Sequence, residues 1–106
     1  MPVALILSFA LFAFAMTSSA MAASPAELRG RAFAQTNCAR CHSIDRYTPS
    51  PLAIAPPFRT LHKKYPLDTL SEAFAEGIDT GHPTMPVFTL EPDQINDLLS
   101  FLKSLK

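Results

Sequence analysis

One pentapeptide restricts this chain more than any other feature: Cys38-Ala39-Arg40-Cys41-His42. On a helical turn, positions i, i+3 and i+4 face the same side, so both thiols and the imidazole converge on one flat ligand. The thiols can add to the two vinyl groups of a haem while His42 binds the iron from one side, and CxxCH reads as a c-type haem attachment site. With Cys and His each at about one position in fifty, the motif arises by chance roughly once in a thousand chains of this length. A thioredoxin-like dithiol needs a βαβ context, and the chain shows no strand alternation. Structural zinc needs four ligands, and only His62 and His82 are left to complete the set. A plain disulfide, the ordinary use of two cysteines in an exported chain, does not account for the adjoining His42.

Export is read from the amino-terminal end. Residues 3–16 (VALILSFALFAFAM) carry no charge, and Ala20-Met21-Ala22 supplies the small residues that a signal peptidase reads. An apolar run of about 14 residues is shorter than the ~20 a helix needs to cross a bilayer. The expectation is a signal peptide over residues 1–22, cut after Ala22, a mature domain over 23–106, and no stable insertion in a membrane thereafter.

All nine acids and all nine Lys and Arg residues follow Ser24, so the formal net charge of the 106-residue chain is zero with or without the leader. That balance argues against nucleic acid as a partner and supplies no basic tail for a membrane surface. A mature chain of about 84 residues buries a modest fraction of its surface, and a bound apolar cofactor commonly supplies missing core at that size.

The remaining pattern is helical. Ser24-Pro25-Ala26-Glu27 opens a helix with an N-cap Ser, a Pro at the first position and a Glu three residues after the Ser. It is expected to run to about Asn37 and to present Leu28, Ala32 and Phe33 on one face. Gly30 beside them costs about 1 kcal/mol relative to Ala in a helix interior, which hints that another helix approaches there. From Ser43 to Pro57 the prolines at 49, 51, 56 and 57 exclude regular structure. A weak helical stretch over 58–64 precedes a middle helix over 67–76, with Leu70, Ala73 and Phe74 inward and Gly77 as its left-handed stop. Glu91-Pro92-Asp93-Gln94 opens the last helix, where Ile95, Leu98, Leu99, Leu102 and Leu105 form a stripe at i, i+3, i+4 and i+7. No internal repeat interrupts this order.

From about Ser24 onward the chain resembles class I cytochrome c of bacterial type: a helix with Gly30 and Phe33, then CARCH, then APPF, then a Met between prolines, then an apolar final helix. The chain departs from members that use a Trp to hydrogen-bond a haem propionate, since it contains none. The resemblance implies an all-α cytochrome c fold, with three main helices and long loops wrapped around one haem c attached through Cys38 and Cys41. The first and last helices are expected to cross at Gly30, bringing Phe33 against Leu98, Phe101 or Leu102.

His42 is then one axial iron ligand and Met85 the other. Met85 is the only thioether left once Met1, Met16 and Met21 leave with the leader, and His82-Pro83-Thr84-Met85-Pro86 resembles the family's ligand loop. His62 and His82 are the rival sixth ligands. A metal-bound imidazole usually donates its other N–H to a carbonyl. By resemblance that acceptor is Pro56, with Pro57 one step away in register. Phe58, Leu61, Leu70, Phe74, Ile78, Phe88 and Leu98 are the candidate pocket walls.

The implied activity is single-electron transfer between redox proteins, donor and acceptor, by a periplasmic monomer that is not an enzyme. Encounters of this kind use small interfaces, and Arg40, Lys63 and Lys64 are candidates for steering partners or for keeping the surface solvated. The competing readings are a haem-binding subunit of a larger oxidoreductase, and a peroxidase or ligand sensor in which Met85 leaves the iron.

Overall fold

The computed structural model describes residues 13, 15, 22–78 and 84–106. The predicted leader lies outside the described residues except at positions 13, 15 and 22, and His82 lies outside them as well. Four helices carry the fold: α1 (Pro25–Asn37), α2 (Leu61–Lys64), α3 (Leu70–Glu76) and α4 (Pro92–Ser104). Single 3₁₀ turns, Phe58–Thr60 and Leu67–Thr69, lead into α2 and α3, and no strand occurs among the described residues. None of the described helices is long and apolar enough to cross a membrane.

Local chemistry sets the helix ends. The Ser24 hydroxyl oxygen accepts from the Glu27 amide at 3.2 Å, capping α1, and Pro25 occupies the first turn, where no N–H is needed. At α4 the Glu91 amide donates to the Gln94 side-chain oxygen at 3.0 Å, one half of a capping box. The far end of α4 is capped by an unexpected group: the Arg46 guanidinium donates to the Ser104 carbonyl. Lys103 reaches sideways instead, pairing with Asp68 at 2.7 Å. α3 stops at Gly77, whose φ of 101° lies in the region that favours glycine.

The core forms where α1 crosses α4. Every member of the predicted α4 stripe is buried, and Phe101 joins it. On α1 the expected face needs correction: Leu28 is 56% exposed and Ala32 is also exposed, whereas Gly30 and Ala34 are buried. Phe33 is partly buried and packs against the core, as expected. The reason is steric. Helix spacing alone selects several faces of α1, but close approach selects the face with the smallest residues, and Gly30 and Ala34 are one turn apart on it.

Candidate haem site

α1 ends at Asn37, and the chain continues through one further turn that carries all three residues of the motif. The Cys38 carbonyl accepts from the Cys41 amide at 3.2 Å and the His42 amide at 2.9 Å, the i+3 and i+4 contacts of a helical turn. Cys38, Cys41 and His42 are thereby held on one stretch of curved backbone, each half-buried, with the sulfurs not joined to one another.

The imidazole is oriented from behind. His42 Nδ1 lies 2.7 Å from the Pro56 carbonyl oxygen, which can only accept, so Nδ1 carries a proton and in the neutral ring Nε2 is the nitrogen with the lone pair. That tautomer is the one a metal-binding histidine needs. The Phe58 ring packs on the imidazole with centroids 5.0 Å apart and planes tilted by 47°. Pro56 is the carbonyl engaged, rather than Pro57, because the next crossing bond, Phe58 amide to Ser43 carbonyl at 2.9 Å, sets the register of the two segments.

The candidate pocket walls all belong to the hydrophobic core or border it. Phe58, Leu70 and Leu98 are buried, while Leu61, Phe74, Ile78 and Phe88 pack on the same core and stay only partly covered. Cys38 belongs to that partly covered set, and burial pushes its thiol up to about 11. A redox-active dithiol has the opposite character, a depressed thiol in an electropositive setting. Among the described residues no three His, Cys, Asp or Glu come together as a metal-binding group.

Met85 is half-buried at the described end of the loop that follows α3. The loop's return is tied down by two main-chain bonds, Ile78 amide to Phe88 carbonyl at 3.3 Å and Leu90 amide to Phe74 carbonyl at 2.9 Å. His62 sits elsewhere, lining a surface pocket with Arg46, Arg59, Lys63 and Lys106, to which neither cysteine, His42 nor Met85 contributes.

The cytochrome c family matches residues 28–106, from the first turn of α1 past the end of α4. The chain belongs to the cytochrome c family. No curated protein and no solved structure matches it. Membership fixes the all-α cytochrome c fold and supports, as the general class, a haem-binding electron carrier. Within this cytochrome the CxxCH cysteines have the spacing that covalent haem attachment uses.

Two residues of the site escaped the sequence reading. Ser43, next to His42, is 4% exposed and is the buried polar residue of the domain's described part. Arg59, next to Phe58, bonds the turn that Ser43 begins. The only signal for them was local: Asp45 and Thr48 have the spacing of a side-chain-capped turn.

Proposed function

We propose that the chain is an exported single-electron carrier whose mature form, residues 23–106, holds one haem c through thioether bonds from Cys38 and Cys41. His42 and Met85 are its axial ligands, its partners are a donor and an acceptor redox protein, and it works as a periplasmic monomer after its leader is removed. The observation that carries this reading is the His42 tautomer: the imidazole that the motif nominates donates Nδ1–H to the Pro56 carbonyl at 2.7 Å, which leaves Nε2 available to a metal.

When bound, haem supplies a one-electron couple. His42 and Met85 would hold the iron between them, which would leave no site for oxygen, peroxide or substrate and let the iron change oxidation state without a change of ligand. A thioether raises the reduction potential relative to a second imidazole because it favours ferrous iron. Pro86 directly follows Met85 and restricts its backbone, with Pro83 two residues before it in the sequence, which would help to hold the thioether in place in both oxidation states. Attachment at two sulfurs also secures the cofactor in a domain whose α2 and α3 span only 4 and 7 residues.

The test is expression of the full chain together with a haem-attachment system, followed by intact mass and a pyridine haemochrome spectrum. The expected product begins at Ala23, carries the mass of one haem and has no free thiol. A colourless product with the bare polypeptide mass and two reactive thiols would overturn the assignment.

A further inference from the structure

The bond from His42 to Pro56 is the first of three successive contacts between two segments, 42–50 and 56–59, that no α-helix or strand aligns. Beside His42, the Ser43 carbonyl accepts from the Phe58 amide at 2.9 Å. Beside Phe58, Arg59 reaches back over the same turn. Its Nη1 donates to the Thr48 carbonyl at 2.7 Å, the Ser43 hydroxyl oxygen at 3.3 Å and the Asp45 carbonyl at 3.4 Å.

The acceptors are themselves fixed. Ser43 shares a hydrogen bond of 3.1 Å with the Thr48 hydroxyl, and its amide donates to the Ser50 hydroxyl oxygen at 3.0 Å. The Asp45 carboxylate takes the Tyr47 and Thr48 amides, each at 2.7 Å, and the Thr48 hydroxyl at 2.6 Å. Residues 43–50 thus form a rigid turn with a buried serine at its base, and Arg59 is the side chain by which the Pro56 segment grips it. Separations of 11 to 16 residues between Arg59 and these acceptors make the contact tertiary rather than local.

We propose that Arg59 is the positioning residue for the axial imidazole: by clamping the 43–48 turn it holds the Pro56 carbonyl on His42 Nδ1–H and so fixes the ring's rotation. The inference rests on the haem-carrier reading, in which His42 binds the iron. A guanidinium suits the task because one nitrogen directs two hydrogens in a fixed plane toward carbonyl and hydroxyl acceptors. A lysine ammonium keeps the charge but not the plane, so it replaces the clamp only in part.

The experiment uses the ferrous holoprotein, which is diamagnetic, and reads solvent exchange of the His42 Nδ1 proton by NMR in wild type, R59Q and R59K. In R59Q the proton is expected to exchange at least about ten-fold faster, as for the loss of roughly one buried hydrogen bond, with R59K in between. Amides of α1 and α4 keep their wild-type protection. Unchanged exchange at His42, or equal acceleration at His42 and in the helices, overturns the proposal. Should R59Q fail to accumulate, S43A removes one Arg59 acceptor and retains the charge. It is expected to speed the same proton by a smaller factor, and no acceleration there is equally fatal. A wild-type chain that takes up no haem defeats the carrier reading instead, and that result precedes any variant.

Discussion

Gly30 lies against the main chain of Asp97 with no room for a side chain. A Cβ on residue 30 would overlap the Asp97 carbonyl oxygen and stand 2.6 Å from its carbon and 2.8 Å from Phe101 Cβ. Helix propensity alone makes Ala better than Gly by about 1 kcal/mol. Overpacking opposes it at about 1–3 kcal/mol, and here the obstacle is backbone, which cannot rotate aside. Gly30→Ala is therefore expected to destabilise the holoprotein by about 2 kcal/mol or more in a denaturant titration. A stabilised variant would show that α1 and α4 separate freely at the crossing.

The same Asp97 also closes the rim of that crossing. Its carboxylate accepts two bonds from the Arg29 guanidinium, at 2.9 and 3.0 Å. Arg29 is 63% exposed, so the pair is screened by salt and its contribution is small beside the steric fit at Gly30. Arg29→Gln is expected to lower thermal stability slightly at low ionic strength. In 1 M salt, where the screening length falls to about 3 Å, the difference from wild type should shrink. A deficit that survives high salt would assign the effect to packing of the arginine stem.

Asp45 gives the 43–48 turn a pH dependence of definite sign. The Thr48 hydroxyl, the Thr48 and Tyr47 amides and the Arg59 charge hold its carboxyl down to about 2, against an ordinary value of 3.8. A carboxylate depressed in the folded state contributes its stability fully above the ordinary value and loses it as pH falls toward the folded one. The turn should therefore keep its structure above pH 3.8 and loosen between there and about 2. Thr48→Val removes the leading cause and should move the Asp45 midpoint upward, followed through the side-chain carboxyl carbon by NMR. An unmoved midpoint would transfer the shift to the backbone amides.

What was readable in the sequence follows from the range of each interaction. Ser24-Pro25 and Glu91-Pro92 mark helix starts because capping is completed within four residues, and the α4 stripe is readable because burial on one face imposes its period. The CARCH turn is readable for the same reason, since its geometry is local. The buried face of α1 was not readable from spacing: Leu28 and Ala32 have the right period, yet contact falls on Gly30 and Ala34, chosen by size against a partner 67 residues away at Asp97. Pro56 entered through resemblance, and the Arg59 clamp was hidden because loop contacts have no period.

The sixth ligand is decided by exchanging the two candidates in the loop after α3. If Met85 binds the iron, the ferric protein shows the weak thioether-to-iron charge-transfer band, and Met85→Ala abolishes it while His82→Ala leaves it intact. The potential of Met85→Ala should also fall, because neither water nor an imidazole favours ferrous iron as a thioether does. His82 is three residues from Met85 and is the natural substitute ligand, so the double variant should differ from Met85→Ala in its ferric spectrum and in its affinity for added imidazole. Helix content in both should stay near wild type, since the cofactor remains bonded at Cys38 and Cys41. A wild-type protein without the band, whose spectrum instead changes on His82→Ala, would make the carrier a bis-histidine one and leave Met85 as packing.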